Sequence, residues 1–249
     1  MKHFFSIIGG MGTIATESYV RLINHRVKIH RDQDYLNYIL VNDAEVPDRT
    51  AYIKDHSQPN FLPALKDDIL GQAKLHPDFF VMPCNTAHYF FKELSGLTDI
   101  PFLNMMQIAV HNFLANYPGE KKIGLIATEG SIHDHLYADY LKAAGIEVVY
   151  GGPEIQPMVT KLIYDDIKDK GVVDGELYHE ILRKMHDDYG CAVTLLGCTE
   201  LSLAQEKAPD HPYNVIDPQA ILADVSIELA LKIRKGMSPA KATAKYIYD

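Results

Sequence analysis

The 249-residue chain has no tryptophan, three cysteines and no long apolar run. Cys84, Cys191 and Cys198 are odd in number and fall in neither paired nor CxxC spacing, which argues against a disulfide framework and a four-cysteine metal site. A chain of this length buries a core without such staples, so a reducing, cytoplasmic setting is expected. No stretch approaches the roughly 20 apolar residues of a membrane span, and the N-terminal "MKHFFSIIGG" is too short for a secretory apolar segment. The expectation is a soluble, unprocessed protein with no membrane partner. Basic charge is also scarce: 24 Lys and Arg face 33 Asp and Glu, for a formal charge of −9. The basic residues are scattered, which leaves nucleic acid no footprint. An anionic ligand would need specific local cations set against the field of the whole molecule.

What the chain does contain is an alternation of short β-rich runs with longer stretches of helical period, the pattern of βα units around parallel sheets. Strands are expected at 3–8, 37–42, 79–82, 122–127, 146–150 and 192–197, with shorter ones at 102–105 and 213–216. Helical patterns run over about 14–30, 60–75, 86–95, 105–117, 132–144, 155–169, 174–189 and 218–235. A weak internal repeat links "FSIIGGMGTIATESY" to "KIGLIATEGSIHDHLY" and "FFVMPCNTAH" to "VTLLGCTELS". The expected fold is therefore α/β, two similar domains each with a short, mainly parallel sheet flanked by helices and an active site in the cleft between them. Residues 1–99 would form the first domain and 100–210 the second, with 211–249 returning to complete the first sheet.

Cys84 and Cys198 each follow a strand and open a helix, where unpaired N–H groups and the helix dipole lower a thiol pKa. Asn85 and Thr86 after one, and Thr199 and Glu200 after the other, are first-turn types that offer donors to an anion. Cys191 lacks such a setting and reads as a small core residue. A single buried cysteine means little, but packing has no reason to repeat strand, cysteine and polar helix start in both halves. Two separated thiols facing across a cleft suit inversion of a carbon centre, one removing a proton and the other returning one from the far side.

The motifs "GGMGTIAT" (9–16), "DRTAYI" (48–53), "PCNTAH" (83–88) and "GCTEL" (197–201) resemble the aspartate/glutamate racemase superfamily, in particular its aspartate and broad-specificity amino-acid racemase branch. The resemblance implies racemisation of an amino acid, aspartate or glutamate first, without a cofactor, by Cys84 and Cys198 as the two bases, in a homodimer. It assigns Arg49 to the substrate carboxylate, a role a planar guanidinium fork suits, and Lys161 to the second cationic contact. Met11, Gly12, Asn85, Thr86, Ala87, Thr128 and Thr199 would line the substrate. Outside the resemblance, Arg49 reads as a surface partner of Asp48 and Lys161 as a snorkelling lysine. Thr13 stands where many members have proline, which bears on substrate preference. Glu200 reads as a capping carboxylate that would raise the Cys198 pKa, and His88 as a packed histidine or a donor to a thiolate. The twelve histidines show no metal-site spacing, so no metal is expected. Competing readings are relatives acting on hydantoins, maleate or aryl malonates, a non-catalytic amino-acid-binding module, and a thiol hydrolase.

Overall fold

The strand candidates fold into two parallel sheets in the computed structural model, which describes residues 1–247. In the first sheet β1 (Phe5–Gly9) lies between β2 (Tyr38–Asn42) and β3 (Phe80–Val81). In the second, β4 (Lys122–Ala127) lies between β5 (Glu147–Tyr150) and β6 (Val193–Gly197), and β7 (Asn214–Ile216) pairs with β6. All pairings are parallel. Every residue of β1 and β6 is buried, as expected for strands covered by helices on both faces.

The repeat is closer in space than in sequence. β1 and β4 are the central strands, β2 and β5 flank them on one side, and β3 and β6 on the other. A parallel bridge from Phe80 to Phe102 stands where β7 stands in the second sheet. The Phe80 N–H donates to Pro101 O at 2.8 Å and the Leu103 N–H to Phe80 O at 3.0 Å, so residues 101–103 close the outer side of β3. That contact corrects the expected role of the C-terminal strand. With β3 already covered, β7 joins the second sheet, Val193 to Leu195 pairing with Asn214 to Ile216.

Helices exchange sheets instead. After the Phe102 bridge comes α5 (Met105–Asn116), capped by Asn104 Oδ1 on the Met106 and Gln107 N–H groups; it lays Met106, Val110 and Phe113 on the second sheet. After β7 comes α11 (Pro218–Arg234), capped by Asp217; it lays Leu222, Leu229 and Ile233 on the face of the first sheet that presents Phe5, Ile7, Phe79 and Val81. The same core takes Tyr19 and Ile23 from α1 (Thr13–Arg26), whose Tyr19 hydroxyl meets Ser226 Oγ on α11 at 2.8 Å. The opposite face of the first sheet is covered by α2 (Arg49–Lys54), α3 (Leu62–Ala73) and α4 (Phe91–Ser95).

In the second half, α6 (Glu129–His133) and α7 (Ala138–Ala143) replace the single helix expected at 132–144, the chain turning at His135 with φ of 56°. The helix expected at 155–169 begins as α8 (Gly152–Thr160) and continues as a π-helical segment, Lys161–Asp169. With α9 (Gly175–Asp187) and α10 (Thr199–Lys207) these cover the other face of the second sheet. The pattern at 86–95 resolves into a 3₁₀ turn, Thr86–Phe90, followed by α4. The six-residue α2 has no counterpart among the expected helices.

Candidate active site

Cys84 and Cys198 leave their sheets at the carboxyl ends of β3 and β6, the equivalent strands of the two halves. Each is 4% exposed. The Ala87 N–H, in the 3₁₀ turn, points at the Cys84 sulfur, and the Glu200 N–H, in the first turn of α10, at that of Cys198. The expectation that these helix starts would lower both thiol pKa values is reversed. Burial pushes Cys84 up, only partly opposed by the Arg49 guanidinium and the Ala87 N–H. Burial pushes Cys198 up as well, and the Glu200 carboxylate adds to it, which leaves this thiol well above its ordinary value. Glu200 is buried, and its Oε2 accepts from the Cys198 thiol at 2.8 Å. It is also near enough to Cys84 to raise that thiol.

A cavity of about 510 Å³ is lined by the β1–α1 turn (Gly10, Gly12, Thr13 and Ile14), by Ala44 and Val46, by Asp48 and Arg49 at the start of α2, by Ile167 and Lys168, and by Glu200; neither cysteine lines it, and Glu200 connects it to the Cys198 thiol. Gly10 adopts φ of +92°, and a Cβ there would fall 2.2 Å from Asp43 O, so only glycine permits the turn that brings β1 to the cavity. Arg49 is held from below: its Nη1 donates to Val46 O and Pro47 O, both at 3.1 Å. Among the described residues it has no carboxylate partner, because Asp48 is occupied as the cap of α2, accepting from the Ala51 N–H at 2.7 Å. The rest of the guanidinium is available to an anion.

The second cation in the cavity is Lys168, not Lys161. Lys161 has a 49% exposed side chain that pairs with Asp166 at 2.5 Å and lies 3.9 Å from Asp174. Lys168 stands 3.7 Å from Glu200 and 4.7 Å from the centroid of the Tyr164 ring. Burial pulls its ammonium down, but Glu200 together with Cys198 and Tyr164 holds it above its ordinary value. The sequence distance is the reason Lys161 misleads. Residues seven apart share a face of an α-helix, but the i→i+5 bonding of the π segment takes more residues per turn, so seven fall short of two turns.

The other expected residues fall around Cys84 or under the cavity. Met11 is buried in the apolar cluster that includes Cys84, while Gly12 lines the cavity. Asn85 Oδ1 accepts from the Tyr137 hydroxyl, and its Nδ2 is buried with no partner among the described residues, a donor left for a ligand. Thr86 Oγ1 meets Thr128 Oγ1 and Ser131 Oγ, each at 3.1 Å, which joins the two halves beside the sulfurs. Thr199 is buried next to Cys198, with its hydroxyl 3.4 Å from Glu200 Oε2. His88 does not reach a sulfur. Its Nε2 accepts from the Met105 N–H at 3.2 Å, which puts the proton on Nδ1, donating to Cys84 O at 2.8 Å. It therefore fixes the Cys84 backbone. Thr13 lines the cavity, 3.4 Å from Asn42 Nδ2.

The two halves also meet along α2 and α6. Tyr164 donates to Thr50 Oγ1 at 3.0 Å, Lys54 pairs with Glu129, and a Cβ on Gly130 would fall 2.9 Å from the Thr50 Cα. Arg49 thus sits on an element of the first half that is clamped to the second at the cavity rim.

The fold is shared with known proteins. The broad-specificity amino-acid racemase RacX of Bacillus subtilis is 24% identical over 233 residues, covering 90% of this chain and 97% of that one. Among solved structures, the aspartate racemase of Picrophilus torridus superposes with a TM-score of 0.76 at 24% identity, over 98% of this chain and 99% of that one. Glutamate racemase of Francisella tularensis, solved with D-glutamate, gives 0.61 at 18% identity, over 93% of this chain and 81% of that one. The structural likenesses establish the fold. The model of the Asp/Glu/hydantoin racemase family matches residues 8–225, and to that family the chain belongs.

Proposed function

We propose that the protein is a cofactor-independent amino-acid racemase, an isomerase that takes aspartate or glutamate and exchanges the α-proton between Cys84 and Cys198. The observation that carries this reading is the matched pair of buried thiols at the carboxyl ends of equivalent strands, each with a main-chain N–H on its sulfur. Arg49 would grip the α-carboxylate and stabilise the negative charge that develops on it as the α-proton leaves, the hardest step without a cofactor. One thiolate removes the proton from one face, and the opposite thiol delivers its own to the other, so a proton is taken and a proton is returned. Lys168 would meet a side-chain carboxylate, and the Asn85 amide would donate to the substrate from below. The apolar wall of Ile14, Ala44, Val46 and Ile167 favours a second, broader reading in which small uncharged side chains are also accepted.

The test is turnover in deuterium oxide with no added pyridoxal phosphate or metal. Product of inverted configuration should carry deuterium at Cα, with aspartate and glutamate ahead of uncharged amino acids. Inverted product without label, or activity that survives Cys84→Ser, would remove the two-thiol mechanism. The homodimer implied by the family resemblance and the cytoplasmic setting expected from the unpaired cysteines belong to the same reading, and sedimentation of the purified protein measures the oligomeric part.

A further inference from the structure

The two thiols stand at the ends of equivalent strands but differ in the charges beside them. Two residues after Cys198 stands Glu200; two residues after Cys84 stands Thr86. The Thr86 hydroxyl turns away to Thr128 and Ser131, whereas the Glu200 carboxylate turns back onto the Cys198 sulfur at 2.8 Å. The cation nearest in effect to Cys84 is Arg49, which no carboxylate engages among the described residues. Lys168, which could have favoured a Cys198 thiolate, is shared with Glu200 Oε1 at 3.7 Å.

We propose that Glu200 makes the two thiols unequal, holding the proton on Cys198 and leaving Cys84 as the thiol that ionises first. The geometry requires a proton between Sγ and Oε2, since a thiolate and a carboxylate at that separation would repel without one. The groups facing the pair are few: Lys168 and Tyr164 from the π segment, Tyr137 before α7, and Cys84 with Arg49 across the cavity. Of these only Lys168 and Arg49 carry positive charge. Burial opposes ionisation of both thiols alike, and only at Cys198 does a hydrogen-bonded carboxylate add to it.

The consequence for turnover rests on the racemase reading. The resting enzyme is poised for the enantiomer whose α-proton faces Cys84: that thiolate takes the proton and Cys198 gives up its own to the opposite face; the resting form returns when Cys84 passes its new proton to solvent and the Cys198 thiolate beside Glu200 takes one from solvent. Rates cannot reveal this bias directly. Two enantiomers of a compound with one stereocentre have an equilibrium constant of one, so kcat/KM must be equal in both directions in every variant.

The bias is therefore read on the thiols themselves. In a Cys191→Ser background, Cys84→Ser isolates Cys198 and Cys198→Ser isolates Cys84, and the ultraviolet absorbance of the thiolate is followed against pH. The Cys198 midpoint should lie above that of Cys84 by about one pH unit or more, and Glu200→Gln should lower it by about one to two units while moving Cys84 less. A Cys198 midpoint at or below that of Cys84, or one that Glu200→Gln leaves in place, overturns the proposal. The unaltered chain gives a second measurement that needs no variant to fold: the iodoacetamide labelling rate of each site, mapped by mass spectrometry across pH. Each site's half-maximal pH divides out its accessibility, and Cys84 must come first. Neither readout requires turnover, so loss of the racemase reading in the deuterium experiment and loss of this inference are separate outcomes.

Discussion

His88 shows how a single buried side chain couples the site to the stability of the chain. It is enclosed, stacked on Phe91 with ring centroids 5.4 Å apart, and bonded through both nitrogens to main-chain groups. Burial pulls its pKa from 6.5 down to about 4, so the folded protein holds it neutral. Between those values the unfolded chain binds a proton that the folded one refuses. Stability conferred by the neutral ring is thus full above about pH 6.5 and is lost as pH falls toward 4, by on the order of 3 kcal/mol in all. His88→Gln keeps a donor and an acceptor but does not titrate. Its melting temperature should fall less steeply than that of the unaltered protein between about pH 7 and about pH 5; parallel slopes would assign the acid sensitivity elsewhere. At this scale the sequence was readable where chemistry is carried by a motif. Cys84 and Cys198 stood out from their neighbours, whereas Arg49 stood out only through the family motif, and the structure places it on the cavity. That Glu200 would raise the Cys198 thiol was also readable; that its carboxylate turns back to accept from the sulfur was not, because nothing in "GCTEL" says which way it points.

The π segment Lys161–Asp169 is the element whose geometry the sequence conceals. Its apolar pattern is compatible with a continued α-helix, and on that assumption Lys161 is the lysine in an apolar turn. The wider turn rotates Lys168 to the cavity and Lys161 to Asp166 and Asp174. Lys168→Met should lower kcat/KM on a dicarboxylic amino acid by about 100-fold, mainly through KM, as expected for loss of one charged contact to the substrate. Lys161→Met should stay within about twofold, the usual yield of an exposed ion pair. Steady-state kinetics on both variants decides between them, and the reverse ranking would return the role to Lys161. The short α2 escaped for a related reason. Six residues are too few to show a helical period, yet Asp48 as cap, Arg49 at the first position and Thr50 against Gly130 and Tyr164 make it the element that carries the cation to the cleft.

At the scale of the whole molecule, the repeat explains why each half brings one thiol to the end of an equivalent strand, and the exchanged helices help to explain why the halves stay together. Each half ends in a helix that covers the other half's sheet: α5 follows the first sheet and packs on the second, and α11 does the reverse. A reading by alternation finds all of these strands and helices but cannot see the exchange, because the apolar face of a helix does not say which sheet it will meet. The C-terminal segment was for that reason expected to bring its strand to the first sheet, when only its helix goes there. The physical result is that neither half has a closed core of its own. A fragment of residues 1–103 keeps β1 to β3 and loses α11, leaving Phe5, Ile7, Phe79 and Val81 uncovered by Leu222, Leu229 and Ile233. Such a fragment should bind hydrophobic dyes and show no cooperative melt, and the intact chain should unfold in one calorimetric transition rather than two. A sharp transition in the fragment would mean that α11 is a cover and not a part of the core, and that the halves are held together chiefly by the contacts of α2 with α6 and Tyr164 at the cavity rim.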